Sequence, residues 1–226
     1  ENPFNIADDA KNGVSYVSGL QEVDPRNVFQ AGICMGAGYA VYATAFDPRV
    51  KALATISPYL HMSENLYLGL GAEKLRDNEN FQGFGNVRQA DYGKIEPMMT
   101  VSVPPEGPAP QIAVDMRTYY LNKDIETQGF ASHANWINQT AIKSNEYLGA
   151  FSAFHYVRYL NQVPFFMAVG KDAEAYPSAK DFFSKVTGPK TLKEFDTGHF
   201  ELYWMSEYTT PIVEGISEHF KKYLVR

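Results

Sequence analysis

One cysteine of this chain stands where a nucleophile would be expected. Cys34 is the centre of Gly-Ile-Cys-Met-Gly, residues 32–36, between an apolar run and a small-residue segment typical of a helix. Small residues two positions before and after a nucleophile, here Gly32 and Gly36, relieve the crowding of a sharp strand-to-helix turn. The helix N-terminus favours a thiolate over a thiol of ordinary pKa about 8.5, and the Met35 N–H would face a developing oxyanion. The alternative is a buried cysteine in a tight turn.

A nucleophilic thiol needs a general base, and His199 is the histidine best placed to supply it. It lies in Asp-Thr-Gly-His-Phe, residues 196–200, after the last apolar run and before the closing helix. A base approaches its nucleophile from such a loop. The alternative is a capping or surface histidine. His219, by contrast, has the spacing of a solvated helix face.

The third group of such a site orients the imidazole and stabilises its charged form. It is expected just after the strand predicted at residues 165–170, where Asp172 and Glu174 both qualify. Asp172 is preferred and Glu174 stays open. Asp181 is a weaker candidate because it lies inside a predicted helix.

The elements that must position these residues alternate between helix and strand. Parallel strands covered on both faces are continuous apolar runs, and alternation of this kind predicts a parallel sheet with right-handed crossovers. Strands are predicted at residues 28–34, 50–57, 165–170 and 192–196, and helices at 4–20, 35–46 and around Ile212, Ile216, Phe220 and Leu224. The first of these helices is predicted to be amphipathic, with one apolar face formed by Ile6, Ala10, Val14, Val17 and Leu20.

The middle of the chain has a different composition. Residues 60–163 have many aromatic residues, a proline-rich segment and no clear strand. This length between two strands exceeds a simple crossover. It predicts a mostly helical cap over the carboxyl edge of the sheet, inserted into a core made of residues 1–59 and 164–226.

Composition excludes several classes of function. A net charge of −6 argues against binding to nucleic acid or an anionic membrane, and no apolar run is long enough to span a bilayer. The single cysteine rules out an internal disulfide, so the cytoplasm is the expected location. Histidine, cysteine and carboxylates do not recur at metal-ligand spacings, and no phosphate-binding loop is found, so no metal or cofactor is expected.

These motifs resemble the dienelactone-hydrolase-like branch of the α/β-hydrolase superfamily, whose elbow reads G-x-C-x-G-G. The resemblance runs over nearly the whole chain, through residues 24–40, 47–52, 151–156 and 198–203. It implies Cys34 as nucleophile, His199 as base, the Met35 N–H as one oxyanion donor, and the order nucleophile, acid, histidine. Ala37 follows Gly36 where the family has a second glycine, a mild departure.

A larger departure concerns the strands before the elbow. The resemblance implies about four strands ahead of the nucleophile strand, whereas here that strand is the first. An apolar strand with an unpaired edge is a liability that proteins avoid. We therefore expect an N-terminal fragment or a second copy of the chain to pair with it.

The expected function is cleavage of a small ester, lactone or thioester, or transfer of its acyl group, by a Cys-His-acid triad. The cleavage would pass through a covalent acyl-enzyme. The alternative is a non-catalytic or partner-completed fragment that acts in binding or assembly.

Overall fold

The computed structural model describes residues 1–62, 79–103, 106–108, 111–121 and 137–226. Its strands are β1 (Val28–Ile33), β2 (Val50–Ile56), β3 (Met99–Thr100), β4 (Thr140–Ala141), β5 (Phe165–Gly170) and β6 (Lys190–Phe195). Its α-helices are α1 (Pro3–Ser18), α2 (Met35–Phe46), α3 (Glu79–Asp91), α4 (Gln111–Tyr120), α5 (Ser144–Ala150), α6 (Tyr176–Lys185), α7 (Glu201–Trp204) and α8 (Ser206–Lys221). Two short 3-10 helices, Ala153–His155 and Val157–Leu160, precede β5.

The main sheet has four parallel strands in the order β1-β2-β5-β6. The predicted α/β class and each predicted strand of this sheet are confirmed, with ends shifted by at most two residues. Every residue of β5 is buried because β5 lies inside the sheet and helices cover both faces. In the described residues, β1 has a strand neighbour on one side only. Ile33 of β1 is 49% exposed.

Alternate residues of β5 define the two faces of this sheet. Phe166 and Ala168 belong to a buried cluster with Leu202 of α7 and Ile212 of α8. Phe165 points to the other face, where its ring lies 6.0 Å from that of Phe182 in α6. The sheet is therefore the middle layer between two layers of helices. The apolar side chains packed between these layers hold the strand ends in place.

Helix α1 confirms the predicted helix, but only part of its predicted apolar face is buried. Pro3, Ala7 and Val14 are its buried residues, and Val14 packs with Val28 and Val50. The prediction placed Val17 and Leu20 on the buried face; both lie near the end of the element or beyond it and are 38% and 37% exposed.

The chain divides into two compact units. One contains residues 3–62 and 152–226 and holds the four-stranded sheet. The other contains residues 1–2 and 63–151, with helices α3, α4 and α5 and an antiparallel pair of short strands, Met99↔Ala141 and Thr100↔Thr140. Much of the expected cap, at residues 63–78, 104–105, 109–110 and 122–136, lies outside the described residues, and the cap stays a prediction.

In the described residues, none of the helices combines the length and apolar character needed to cross a membrane.

Candidate active site

Cys34 stands at the turn from β1 into α2. It has φ 54° and ψ −127°, a strained conformation for a residue with a Cβ, and it is the residue just before the helix. The turn is fixed on both sides, because the Cys34 N–H donates to Ile56 O at 3.1 Å and the Tyr59 N–H donates to Cys34 O at 2.9 Å. A strained nucleophile position held by neighbouring backbone is the geometry of a nucleophile elbow.

The two glycines around Cys34 have different roles. A Cβ on Gly32 would lie 2.5 Å from Gly36 O and 2.6 Å from the Ala37 Cα, so only glycine fits where α2 passes over β1. A Cβ on Gly36 would meet no atom of the described residues within 4 Å. The prediction that both glycines relieve clashes is therefore wrong for Gly36, whose position on the helix surface leaves room for a side chain.

The loop that carries His199 is fixed to the carboxyl ends of β2 and β5. A Cβ on Gly170 would lie 2.1 Å from Gly198 O, so β5 must end in glycine for the loop to pass. The Asp172 N–H donates to Thr197 O at 3.0 Å. Buried Ser57 donates from Oγ to the His199 carbonyl at 2.8 Å.

These constraints bring His199 to Cys34. The imidazole Nε2 lies 3.4 Å from Cys34 Sγ, a hydrogen-bonding distance for sulfur. The same Nε2 lies 2.7 Å from the hydroxyl oxygen of Tyr203, one turn of chain later. A sulfur, a ring nitrogen and a phenol oxygen therefore form one chain of hydrogen-bonding groups.

His199 is 2% exposed, and this burial lowers its pKa from 6.5 to about 4. Rings of Tyr59, Phe200 and Tyr203 surround the imidazole edge to face, with centroids 6.1, 4.8 and 5.5 Å away. Low polarity around the ring disfavours the imidazolium. His199 is therefore neutral near pH 7 and able to accept a proton.

In the described residues, no carboxylate is hydrogen-bonded to the imidazole. His199 Nδ1 is buried and has no hydrogen-bond partner in the described part of the chain, so neither Asp172 nor Glu174 accepts a hydrogen bond from it. Both carboxylates are exposed. Burial raises the pKa of Tyr59, and the charges of Glu174 and Cys34 raise it further.

Two other acids bear on this question. Asp181, the weaker candidate, lies on α6 and pairs with Lys185. Glu201, two residues after His199, has a buried Oε2 that also lacks a hydrogen-bond partner in the described residues. The assignment of the acid to Asp172 or Glu174 stays a prediction.

The depressed pKa of His199 predicts a dependence of stability on pH. The unfolded chain binds a proton on this histidine below pH 6.5 whereas the folded chain does not until about pH 4, so stability falls as the pH falls through this window. From pH 8 to pH 4.5 the loss from His199 is about 2.5 kcal/mol. Urea unfolding of wild type and His199→Gln at both pH values measures it, and equal losses in the two proteins would contradict it.

Ser57 and Tyr203 are site residues that the motifs did not identify. Ser57 directly follows the buried strand β2, and a polar residue at the carboxyl end of a predicted strand was the available signal. It has φ 44° and is 1% exposed. Tyr203 lies four residues after His199, a spacing that puts both on one face of a helical turn.

An open cleft of about 410 Å³ lies elsewhere on the sheet unit. Its lining includes Thr44, Asp47, Tyr159 and Pro164, at the amino ends of β2 and β5. Cys34 and His199 follow the carboxyl ends of their strands, so this cleft is not part of the candidate site.

The chain resembles known proteins both in sequence and in fold. No family model matches the chain. The acyltransferase drtE of Aspergillus calidoustus is 25% identical over 224 residues, which is 97% of this chain and 70% of that protein. A hypothetical protein from Pseudomonas aeruginosa superposes with a TM-score of 0.83 at 21% identity, over 99% of this chain and 69% of that one. The alpha/beta hydrolase GrgF from Penicillium sp. sh18 superposes with a TM-score of 0.78 at 18% identity, over 99% and 73%.

Proposed function

We propose that this chain, which has the α/β-hydrolase fold of these structures, cleaves a small ester, lactone or thioester, or transfers its acyl group, through a covalent intermediate on Cys34. The observation that carries the proposal is the 3.4 Å distance between Cys34 Sγ and His199 Nε2 at a strained strand-to-helix turn. Likeness to a protein named as an acyltransferase supports this class of chemistry.

The reaction begins with the thiol proton. Neutral His199 accepts the proton of Cys34 through Nε2, and the thiolate attacks the carbonyl carbon to form a C–S bond. The Met35 N–H, the first of helix α2, has no acceptor within the helix and supplies one donor to the oxyanion. The bond to the leaving group then breaks, and the leaving oxygen or sulfur receives the proton. Water or an acceptor alcohol or amine releases the acyl group by the reverse steps.

A carboxylate at Nδ1 would make His199 a stronger base. Burial of the ring lowers the pKa of His199 to about 4. A carboxylate that accepts a hydrogen bond from Nδ1, which has no such partner in the described residues, would favour the imidazolium and raise this pKa. We assign this role to Asp172, with Glu174 as the alternative. The buried Oε2 of Glu201 makes that residue a third candidate.

The cysteine at the strand-to-helix turn supports placement of the chain in the dienelactone-hydrolase-like branch. It also supports a location in a reducing compartment. The proposed chemistry needs a reduced thiol, and a reducing compartment such as the cytoplasm keeps Cys34 in that state.

One edge of β1 has no strand neighbour in the described residues, and this edge supports a further partner. Its row of backbone groups and the half-exposed Ile33 suit pairing with another strand. We propose that an N-terminal fragment or a second copy of the chain provides it.

The alternative function is a non-catalytic module used for binding or assembly. It is favoured by His199 Nδ1, which has no hydrogen-bond partner among the described residues. Thiol alkylation separates the two. For an active site we expect iodoacetamide at pH 7 to modify Cys34 about tenfold faster than a free cysteine derivative. We also expect turnover of p-nitrophenyl acetate that this alkylation abolishes. Alkylation no faster than the free thiol, together with no turnover, would support the binding module.

A further inference from the structure

We propose that the Tyr203 hydroxyl relays a proton between His199 Nε2 and the oxygen of the leaving or entering group. This inference rests on the proposed acyl chemistry at Cys34 and assigns one further catalytic residue to it. The observation behind it is the 2.7 Å distance from the Tyr203 hydroxyl to the nitrogen that also contacts Cys34 Sγ.

A neutral imidazole offers one lone pair at Nε2, and two donors compete for it. The Tyr203 hydroxyl lies at 2.7 Å, and the Cys34 thiol, a weaker donor, lies at 3.4 Å. Because burial holds the pKa of His199 at about 4, the ring is neutral at rest. Tyr203 therefore donates to Nε2 in the resting site, and the ring proton is on Nδ1.

Proton transfer from Cys34 reverses the direction of this hydrogen bond. Once Nε2 carries the thiol proton it becomes a donor, and the Tyr203 oxygen becomes its acceptor. The hydroxyl hydrogen of Tyr203 is then available to another acceptor. In an acyl-transfer site that acceptor is the leaving-group oxygen, because the proton taken from the nucleophile has to end on the leaving group.

The proton transfers of the relay balance, and Tyr203 ends in the protonation state in which it began. As the bond between the carbonyl carbon and the leaving oxygen breaks, that oxygen takes the Tyr203 hydroxyl proton, and the Tyr203 oxygen takes the proton of Nε2. His199 returns to its neutral form. In the second half of the reaction the entering hydroxyl gives its proton to Tyr203, which passes its own proton to Nε2. No oxidant, metal or other reactant is needed.

The ring of Tyr203 has a separate packing role that a test must preserve. It packs against Phe200, with centroids 5.3 Å apart, and against the buried cluster around Phe166. Tyr208 packs against the same cluster from α8. Tyr203→Phe thus removes the hydroxyl and keeps the ring, and Tyr208→Phe is its matched control.

The test compares two acetate esters by kcat/KM, which reports the steps up to release of the leaving group. p-Nitrophenolate departs without protonation, whereas an alkoxide needs a proton. We expect Tyr203→Phe to lower kcat/KM for ethyl acetate about a hundredfold. For p-nitrophenyl acetate we expect a change of less than about threefold, because His199 still accepts the Cys34 proton directly. Tyr208→Phe should leave both values near wild type.

Each other outcome is decisive. Equal losses on both esters would mean that Tyr203 only positions His199, and no loss on either would mean that the hydroxyl takes no part; both overturn the relay. Wild-type protein that turns over neither ester would instead refute the proposed acyl chemistry. Circular dichroism and urea unfolding of both tyrosine variants establish that differences in rate do not come from unfolding.

Discussion

Replacement of Cys34 by alanine is expected to lower kcat/KM for p-nitrophenyl acetate by at least about 10³-fold. The thiol is the atom that forms the covalent bond, and nothing else described at the turn replaces it, since Cys34 is the sole cysteine of the sequence. Alanine fits the elbow as well as cysteine does, because both carry a Cβ at φ 54°. The unfolding free energy should therefore stay within about 1 kcal/mol of wild type.

His199→Ala should lower kcat/KM by a similar factor. The double variant should have a kcat/KM little lower than that of either single variant. Groups that act as a unit are strongly non-additive, and Sγ and Nε2 are in direct contact at 3.4 Å. Steady-state kinetics of the four proteins give this comparison. The assignment of nucleophile and base would be wrong if Cys34→Ala kept a tenth of the activity, or if the two losses multiplied.

Gly32→Ala is the second large effect, and it separates the elbow's geometry from its chemistry. Its Cβ would lie within 2.8 Å of three backbone atoms of Gly36 and Ala37, so α2 must move away from β1. Strain of this kind against backbone is expected to cost about 3 kcal/mol or more. Helix α2 begins at Met35, directly after Cys34. A movement of α2 away from β1 should therefore also change the rate of Cys34 alkylation.

Gly36→Ala is the matched control on the other side of Cys34. Its Cβ would point into space free of described atoms, and the position is inside the first turn of α2. Alanine is a better helix former than glycine by up to about 1 kcal/mol, so this variant should be as stable as wild type or more stable. Urea unfolding measures both. A Gly36→Ala protein as unstable as Gly32→Ala would show that α2 does not pass over β1 as described.

Local sequence patterns predicted most of the sheet unit. Sequence patterns placed all four strands of the parallel sheet to within two residues. The signal is clearest for β5, a continuous apolar run, because a strand that is buried on both faces needs no alternation. The Gly-x-Cys-x-Gly run predicted a sharp strand-to-helix turn at Cys34, and the chain makes that turn there. The close approach of a helix to a strand leaves room for glycine alone at position 32, and that requirement is visible in the sequence.

Sequence patterns left a residue's surroundings undetermined where those surroundings come from distant parts of the chain. The amphipathic spacing of α1 indicated a helix, but the partners of that helix decide which stripe is buried, and Val17 and Leu20 stay exposed. The order of residues after β5 indicated Asp172 or Glu174 as the acid. A position in sequence does not specify a side-chain contact, and Nδ1 of His199 has no hydrogen-bond partner in the described residues.

The sequence alone determined which residue types are available for chemistry and at which strand ends they lie. Strands and sharp turns leave a local signal, because burial and backbone strain restrict the residues that are neighbours along the chain. Tertiary structure alone decided which groups meet. Ser57 reaches the His199 carbonyl across 142 residues, and Cys34 reaches Nε2 across 165. It also set the depressed pKa of His199, since burial depends on every element packed around the ring. The contact between the Tyr203 hydroxyl and His199 Nε2 depends on sequence and on tertiary structure together. The sequence supplies the four-residue spacing, and the fold turns the loop so that the two side chains face Cys34.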